Sequence, residues 1–336
     1  TQRAVRARAP LRISFAGGGT DVMPYPADHG GCVLSVTVDL FAFASLQARE
    51  DGAYHVQSQG GPAPYADPGD VVLDGHDDLV RACLRDMAAA TGLDVQLFCD
   101  APPGSGLGSS SALVVAMLAA ASELRQYALT PYELAERAYR VERVDLGQAG
   151  GMQDQYACTF GGFNFIEFLG EDRVVVNPLR IPEDVETELH SSLLLCYTGM
   201  TRVSGGILER QVAGYRAGRR ESLDSLRRIK DLTLDLKEAL LTGDLASFAE
   251  ILDASWQAKR HLAEGITNDR IDDLVARAKS AGALAAKLLG AGGGGHLLLF
   301  CPFDRRPAIA QAMEEAGARV VRFNFAPRGV QTWRAA

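Results

Sequence analysis

The sequence feature that most restricts the possible folds is a glycine- and serine-rich loop that leads into a long apolar segment. Residues 101–122 read APPGSGLGSSSALVVAMLAAAS and follow the apolar run Val95–Cys99, which predicts a strand, a loop and a helix beginning near Ser110. Glycines let the main chain approach a ligand, and a helix N-terminus presents free amides and a positive dipole end to an anion. We therefore predict a phosphate-binding loop. Its expected contact residues are Pro103, Gly104, Ser105, Gly106, Leu107, Gly108, Ser109 and Ser110.

Residue types in this loop exclude two other phosphate-binding motifs. The GxxxxGK[ST] motif requires a lysine after the glycines, and none is present. The dinucleotide-binding fingerprint requires a third glycine where Ser109 stands, and Pro102 and Pro103 interrupt the passage from strand to turn. Ser109, Ser110 and Ser111 suit a helix start, where side-chain oxygens can cap free amides. A glycine-rich turn before a buried helix has the same composition. The loop alone therefore does not establish nucleotide binding.

The composition limits the classes of partner that the chain is expected to bind. Its 336 residues suit two domains, and 34 Lys and Arg against 42 Asp and Glu give a net charge of −8. The chain thus has no general basic field for nucleic acid or an anionic membrane surface, and local groups must hold any phosphate. The longest wholly apolar run is about nine residues, against the roughly 20 that span a bilayer. We expect a small-molecule partner, no nucleic acid and no membrane.

Cysteine use and the first residues predict the cellular compartment. The segment TQRAVRARAP is basic but precedes no apolar core, so it does not resemble a secretory signal. The six cysteines are scattered without a CxxC pair, and the six histidines show no metal-ligand spacing. We expect reduced thiols in a cytoplasmic protein, rather than a disulfide or zinc framework. The oligomeric state is left open, with a homodimer as one alternative.

Strand-like and helix-like segments alternate along the chain, which predicts two α+β domains that share a cleft. The segment Pro178–Asp184 is polar and contains prolines, so we place the boundary there and predict domains at residues 1–183 and 184–336. Segment 130–144 is expected to be a helix capped by Thr130 and Glu133. Further expected elements are a hairpin at 161–168 and 172–177, helices at 207–261 (broken near Gly243), 268–289 and 306–316, and strands at 191–199 and 319–325.

The segment APLRISFAGGGTD, residues 9–21, carries the first set of candidate functional residues. Arg12 lies on a predicted strand, and Gly17–Gly19 lead to Thr20 and Asp21. A sugar site needs a carboxylate that accepts hydrogen bonds from hydroxyl groups, and flexible glycine backbone brings such a carboxylate close. A hairpin turn with a solvent-exposed aspartate is the alternative.

Two carboxylates in VERVDLGQAGGMQDQYACTFGG, residues 141–162, form the second set. Glu142 lies near the end of a predicted helix, and Asp154 follows the turn at Gly150–Gly151. Such a pair suits a division of labour in which one carboxylate binds Mg2+ and the other lies near an acceptor hydroxyl. A helix end and a structural aspartate are the alternative, which these residues alone do not exclude.

The segment KLLGAGGGGHLLLF, residues 287–300, has five glycines in six positions. This is more than a turn requires, so we expect the segment to lie close to a ligand or to the loop of the other domain. A flexible turn is the alternative. We expect His296 in a core or rim position and assign it no role.

Together these segments resemble the three motifs of the GHMP kinases, a family of small-molecule kinases that includes galactokinase, homoserine kinase, mevalonate kinase and phosphomevalonate kinase. PPGSGLGSSSA is similar to the motif that wraps the nucleotide phosphates, and APLR is similar to the Pro-x-Lys/Arg start of the first motif. The resemblance implies an N-terminal ribosomal-protein-like α/β domain, a C-terminal ferredoxin-like α+β domain and an active site in the cleft between them. It also implies ATP and Mg2+ as cofactors.

Residue roles follow from the same resemblance. Arg12 is implied as the cation that faces the transferred phosphoryl group, and Asp154 as the catalytic carboxylate. Ser110 and Glu142 are implied as the Mg2+ ligands.

A finer resemblance covers nearly the whole chain. GGGTDVMPYPADHGG, GGMQDQYACTFGGFNFIEF, YTGMTRVS and GALAAKLLGAGGGG are similar to the subgroup that phosphorylates the anomeric hydroxyl of D-glycero-D-manno-heptose 7-phosphate for nucleotide-sugar synthesis. Met152 departs from that subgroup, in which a lysine is expected, so the sugar is left open. An octose 8-phosphate and an L-fucose-type acceptor are alternatives, and a non-catalytic sugar-phosphate sensor is an alternative of another class. The GGGTD and GGFNFIEF segments disfavour homoserine or mevalonate.

A phosphorylated sugar also needs cations for its distal phosphate. Arginine and lysine both bind phosphate, so Arg202, Lys259, Arg260 and Lys287 are candidates, each with a plain surface charge as the alternative. The expected substrate contacts are Gly18, Gly19, Thr20, Asp21, Gly151, Gln153, Arg202, Lys259, Lys287 and Gly293.

Overall fold

A computed structural model of the chain describes residues 3–58, 61–65, 78–87, 92–170, 172–201 and 205–335. The strands are β1 Val5–Ala16, β2 Gly31–Arg49, β3 Tyr54–Ser58, β4 Gly61–Tyr65, β5 Gly92–Cys99, β6 Phe163–Phe168, β7 Val174–Pro178, β8 Leu193–Tyr197, β9 Ala285–Leu288, β10 His296–Phe300, β11 Arg319–Val321 and β12 Gln331–Arg334. The helices are α1 Tyr25–His29, α2 Asp78–Met87, α3 Ser109–Leu124, α4 Pro131–Tyr139, α5 Gln153–Phe160, α6 Glu183–Ser192, α7 Gly205–Arg216, α8 Arg220–Thr242, α9 Leu245–Arg260, α10 Asp269–Ser280 and α11 Arg306–Glu315.

The first sheet is built around the long strands β1 and β2. Its order is β12-β1-β2-β5-β3-β4, and the predicted hairpin, β6 and β7, is attached to β2. Because β2 is 19 residues long, Gly31–Val36 pairs with β6 while Ala42–Arg49 pairs with β5. Helix α3 is buried along most of its length and packs against β1 and β2. The glycine loop before α3 therefore lies beside β1, where Arg12 N–H donates to the Leu107 carbonyl at 3.0 Å.

Within the described residues, the second sheet has four antiparallel strands in the order β11-β8-β10-β9. In chain order these are its fourth, first, third and second strands, and helices connect β8 to β9 and β10 to β11. This is the ferredoxin-like arrangement. Leu194, Leu297 and Leu299 from this sheet share a core with Trp256 of α9, so the helices are held against the sheet by apolar burial.

The predicted helix at residues 268–289 is wrong over its second half. Helix α10 ends at Ser280, Gly282 adopts a φ of +110°, and Ala285–Leu288 forms the buried strand β9. A short apolar run fits a buried strand as well as a helix, and here it pairs with β10. The predicted break near Gly243 is confirmed, because Gly243 is the left-handed C-cap of α8.

The end of the chain returns to the first sheet. Strand β12 pairs with β1, and Val38 of β2 forms a bridge with Phe325. The division between residues 183 and 184 stays a prediction, but residues 331–334 belong to the first sheet and not to the second. No helix among the described residues has both the length and the apolar character that crossing a bilayer requires.

Candidate active site

Three glycine-rich segments, distant in sequence, converge on one cavity of about 590 Å3. They are the turn after β1, the loop before α3 and the turn between β9 and β10. The predicted site residues that line the cavity are Arg12, Gly18, Gly19, Asp21, Pro103, Gly104, Gly106, Gly108, Ser109, Ser110, Glu142, Gly151, Gln153, Asp154 and Lys259.

Arg12 and Asp154 form an ion pair in the wall of this cavity. Asp154 lies in the first turn of α5, and its Oδ1 lies 2.8 Å from Arg12 Nε and 2.6 Å from Arg12 Nη2. Arg12 Nη1 donates to the Gly106 carbonyl at 2.6 Å. A Cβ on Gly108 would lie 3.4 Å from Asp154 Cγ, so the carboxylate borders the glycine loop. Asp154 is 19% exposed and Arg12 is 3% exposed, so the arginine fixes a carboxylate that still faces the cavity.

The two glycine loops touch each other through their main chains. A Cβ on Gly106 would lie 2.6 Å from the Leu289 carbonyl oxygen, and one on Gly295 would lie 2.4 Å from the Ser105 carbonyl oxygen. The predicted close approach of these loops is therefore confirmed. His296 supports the contact, because its Nδ1–H donates to the Ser105 carbonyl at 2.8 Å. Burial lowers the pKa of His296 to about 4, so the ring is neutral at neutral pH.

The start of α3 lacks the side-chain caps that the serines predicted. Its N-cap is Gly108, in the left-handed conformation at φ +76°, and no side chain caps the first turn. Ser110 and Ser111 instead donate to Glu142, and Ser109 donates to a carbonyl of its own loop. First-turn amides without a side-chain partner suit an anion, so the helix start can serve the phosphate site.

Glu142 is fully buried beside the start of α3. It lies in a π-helical segment, Arg140–Asp145, that continues α4, and α4 itself begins at the predicted capping box. Glu142 accepts hydrogen bonds from Ser110 Oγ at 2.9 Å, from Ser111 Oγ at 2.6 Å and from Gln155 Nε2. These donors keep the carboxylate oriented at the cavity edge.

The oxygens of Ser110 and Glu142 fit Mg2+. Mg2+ prefers hard oxygen ligands, and it is commonly held by one or two protein groups together with phosphates and water. Among the described residues, no group of three or more His, Cys, Asp or Glu side chains forms a self-sufficient metal site. The donor set therefore suits a metal that is shared with a bound phosphate.

Asp21 lies in the cavity wall and is 1% exposed. It accepts hydrogen bonds from Gly19 N–H at 2.9 Å, from Gln153 N–H at 3.2 Å and from Gln153 Nε2 at 3.0 Å. Burial raises the pKa of Asp21, and the charge of Asp154 adds to that effect. A Cβ on Gly151 would lie 1.9 Å from Asp21 Oδ2, so Gly151 makes room for this carboxylate.

The two lysines expected at a distal phosphate lie in different surroundings. Lys259 of α9 lines the cavity, and its Nζ donates to the Gly290 carbonyl. Lys287 of β9 is 2% exposed and donates to the Ser14 carbonyl at 2.8 Å and to the Phe15 carbonyl. Burial lowers the pKa of Lys287 well below its usual value. This position removes Lys287 from the expected phosphate contacts, because its ammonium ties β9 to β1 away from the cavity lining.

Two candidate cations remain, Arg202 and Arg260. Arg202 lies outside the described residues. Arg260 Nη2 lies 2.8 Å from Asp272 Oδ1, and the residue is not part of the lining.

Four other predicted contacts lie behind the cavity surface. Thr20 is fully buried, and its hydroxyl donates to the Gly17 carbonyl at 2.8 Å. Gly293 N–H donates to the Ile266 carbonyl at 2.9 Å. Such residues shape the loops without reaching the cavity. These four predicted contacts, which like Lys287 are absent from the cavity lining, are Thr20, Ser105, Leu107 and Gly293.

Gln155 and Arg143 are site residues that the sequence interpretation missed. Gln155 Nε2 donates to Glu142 and lies 3.1 Å from Ser111 Oγ. Arg143 lines the cavity, and its Nε donates to the Gly151 carbonyl at 3.3 Å. Each is the chain neighbour of a predicted site residue, and this adjacency was the only indication of their position.

Gln211 of α7 is a third missed residue. It lines the cavity, and its Nε2 donates to the Gly19 carbonyl at 3.1 Å. One helical turn later, the Tyr215 hydroxyl donates to Asp28 Oδ2 at 2.6 Å. The sequence predicts segment 207–261 only as a helix broken near Gly243, and nothing in the spacing of its polar residues indicates this contact.

Met152 does not line this cavity. Its side chain is 3% exposed and packs with Val33 and Tyr156 in a small apolar cluster. Met152 N–H donates to the Asp21 carbonyl at 3.2 Å. A methionine in place of the expected lysine therefore affects the packing behind Asp21 and not the cavity surface.

Comparisons with known proteins agree with this architecture. Residues 78–162 match the family described as GHMP kinases N terminal domain, and residues 236–319 match GHMP kinases C terminal. The chain is 36% identical over 339 residues to D-glycero-alpha-D-manno-heptose 7-phosphate kinase of Campylobacter jejuni, with 99% of each chain covered. It is 27% identical over 374 residues to L-fucokinase/L-fucose-1-P guanylyltransferase of Bacteroides fragilis, covering 99% of this chain and 39% of that protein.

One solved structure confirms the predicted two-domain fold. The crystal structure of a D-glycero-D-manno-heptose 1-phosphate kinase from Bacteroides thetaiotaomicron superposes with a TM-score of 0.82 at 33% identity, covering 99% of both chains.

Proposed function

The chain belongs to the GHMP kinase family, and from this premise we propose that it phosphorylates the anomeric hydroxyl of D-glycero-D-manno-heptose 7-phosphate with ATP. It is a phosphotransferase with an alcohol group as acceptor, like its kinase relatives. The proposed product is the 1,7-bisphosphate, which suits a route to a nucleotide sugar. A cytoplasmic location goes with this proposal.

The observation that carries the proposal is the position of Asp154, which is paired with Arg12 beside Gly108. A triphosphate held by the start of α3 directs its terminal phosphoryl group toward this pair. A sugar held at Asp21 presents a hydroxyl group to the same part of the cavity. One carboxylate thus borders both the donor side and the acceptor side.

The heptose assignment is supported by similarity over the whole length of the chain. A relative that is 36% identical over 99% of both chains is a heptose 7-phosphate kinase. A second candidate acceptor is L-fucose, because an L-fucokinase also covers 99% of this chain at lower identity.

In the proposed reaction, the acceptor oxygen attacks the γ-phosphorus in line. Its new bond to phosphorus forms as the bond from phosphorus to the β–γ bridging oxygen breaks, and ADP leaves. Asp154 orients the acceptor hydroxyl and takes its proton, while Arg12 neutralises charge on the phosphoryl oxygens. Ser110 and Glu142 would hold Mg2+, which would supply charge neutralisation to the phosphates.

A screen of acceptors at fixed ATP and Mg2+ tests the proposal, with ADP formation as the readout. The candidates are heptose 7-phosphate, octose 8-phosphate, L-fucose and mevalonate. We expect the highest kcat/KM with heptose 7-phosphate and a product phosphorylated at C1. Stronger turnover of free L-fucose would overturn the heptose assignment while leaving a sugar kinase. Binding of heptose 7-phosphate without ADP formation from any acceptor would indicate a sensor instead.

A further inference from the structure

Lys259 brings a positive charge from α9 to the wall of the cavity. Its side chain lines the cavity although the residue is only 8% exposed. Its ammonium donates to the Gly290 carbonyl, and the described residues offer it no second hydrogen-bond acceptor. A lysine ammonium has three donors, so two N–H groups remain for a ligand.

The space in front of Lys259 is kept open by Gly18. A Cβ on Gly18 would lie 3.6 Å from Lys259 Nζ, 3.5 Å from Gln153 Nε2 and 4.0 Å from Ser14 Oγ. Ser14 Oγ and Gln153 Oε1 are both buried and have no hydrogen-bond partner within the described parts of the chain. Buried polar atoms are normally paired. Incompletely paired groups gathered around one glycine therefore mark a position for a polar ligand.

This position lies between the two sides of the proposed reaction. Gly18 belongs to the turn that carries Asp21, on the acceptor side. Gly290 belongs to the loop that touches Gly106, on the phosphate side, where a Cβ on Gly290 would lie 2.6 Å from Gly106 Cα. Lys259 contacts both segments, whereas a distal phosphate would be bound at the far end of the sugar.

The charged groups around Lys259 lie on β1, in the turn after β1, on α5 and on β9. Burial and the charge of Arg12 lower the pKa of Lys259 to about 8, while Asp21 and Asp154 act in the opposite direction. Lys287, whose own pKa is lowered by burial and by Lys259, lies behind it on β9. An additional anion in front of the ammonium favours its protonated form.

We propose that Lys259 is a second cation of the transfer centre and binds an oxygen of the phosphoryl group as that group passes from nucleotide to acceptor. This inference rests on the proposed function and changes the distal-phosphate role that the sequence suggested for Lys259. The lysine keeps its protons throughout, because the acceptor proton goes to Asp154. The new phosphorus–oxygen bond forms as the bond to ADP breaks, and Lys259 stabilises the negative charge of the phosphoryl group in the transition state.

Proton uptake on nucleotide binding tests this contact without any turnover. Calorimetric titrations at about pH 8.5, in two buffers of different ionisation enthalpy, compare the binding of Mg2+–AMPPNP with that of Mg2+–ADP. Only AMPPNP carries a γ-phosphoryl group. We expect the wild-type protein to take up more protons with AMPPNP than with ADP. The Lys259→Met variant should lose that difference, while Lys279→Met, which removes a lysine paired with Asp253 away from the cavity, should retain it.

The Lys259→Arg variant separates a charge role from a structural one. Arginine stays protonated at all accessible pH values, so this variant should restore part of the activity lost in Lys259→Met, a loss of roughly 100-fold or more in kcat. It should also abolish the fall of kcat/KM above about pH 8 that we expect in the wild type. An AMPPNP-specific proton uptake that persists in Lys259→Met, or an unchanged alkaline limb in Lys259→Arg, would overturn the inference. Failure of the proposed function would appear separately, as a wild-type protein that binds neither nucleotide.

Discussion

Asp154 and Gln155 are adjacent on α5, yet their side chains bind two different partners. Asp154 accepts from Arg12 on β1, and Gln155 donates to Glu142 in the π-helical segment after α4. One short helix thus connects the carboxylate proposed for the acceptor with the carboxylate proposed for the metal. The acceptor role proposed for Asp154 and the metal role proposed for Glu142 can therefore be tested by separate substitutions.

We expect Asp154→Asn to lower kcat by roughly 100- to 10,000-fold, the range that loss of a general base produces. An asparagine Oδ1 still accepts from Arg12, so the arginine stays paired and the fold should be kept. The dissociation constant of Mg2+–AMPPNP should change little, which calorimetry would measure. A variant that binds nucleotide normally and keeps wild-type kcat would exclude Asp154 from the proton transfer.

Substitution of Glu142 should act on the metal requirement instead. We expect Glu142→Gln to raise the Mg2+ concentration for half-maximal activity by roughly tenfold or more, because a charged oxygen ligand is lost. Glu133→Gln is a matched control, since Glu133 lies in the exposed capping box of α4. A glutamine at this position can still accept from the Thr130 N–H, so this variant should keep the cap and leave the Mg2+ titration unchanged. Equal Mg2+ titrations for Glu142→Gln and the wild type would argue against a metal at this carboxylate.

Gly106 should not tolerate a side chain, for two separate reasons. Its φ is +82°, and a Cβ would lie 2.6 Å from the Leu289 carbonyl oxygen. Gly218 also has a positive φ, +65°, but a Cβ there meets nothing within 4 Å. We expect Gly218→Ala to cost about 1 kcal/mol of unfolding free energy from backbone strain alone. Gly106→Ala should cost more and also weaken AMPPNP binding. Similar denaturant midpoints and nucleotide affinities for both variants would contradict the observed loop contact.

The buried charge of Lys259 should be visible in the pH dependence of stability. Its pKa is about 8 in the folded chain against 10.5 in the unfolded chain, so the unfolded chain binds more protons between these values. Stability of the wild type should therefore rise with pH across this window, with a limiting slope of about 1.4 kcal/mol per pH unit from this group. Lys259→Met should lose that contribution, so its stability relative to the wild type should decline from pH 8 to 10.5. If urea unfolding gave parallel curves of stability against pH for the wild type and Lys259→Met, the Lys259 ammonium would not be desolvated in the folded chain.

Gln211 should influence the acceptor and not the nucleotide. Its hydrogen bond to the Gly19 carbonyl holds the turn that carries Asp21. A net loss of about 1 kcal/mol for this bond corresponds to a rise of roughly fivefold in the KM for the sugar in Gln211→Ala. The Tyr215→Phe variant, one turn further along α7, removes the bond to Asp28 outside the cavity and should leave that KM within about twofold. An equal KM for Gln211→Ala and the wild type would remove Gln211 from acceptor positioning.

Several local features could be predicted because they depend on neighbouring residues. The capping box at Thr130 and Glu133 and the left-handed glycine that ends α8 both follow from backbone requirements within one turn. The ALAAKLL run was assigned to the wrong element, because its burial on both sides removes the periodicity that separates helix from strand. The caps expected from the serines of α3 are absent, because Ser110 and Ser111 donate to Glu142, which lies 32 and 31 residues away. Only the family resemblance placed Ser110 beside Glu142.

The sequence by itself determined which segments carry the chemistry: the glycines that permit close backbone approach, the carboxylates at Asp21, Glu142 and Asp154, and the family to which such motifs belong. Only the tertiary structure decided which cations reach the cavity. Lys259 and Lys287 are equally basic in the sequence, but one ends at the cavity and the other at two carbonyls of β1. A charge acts over a few ångströms that are set by long-range packing, and residue spacing along the chain does not contain that distance.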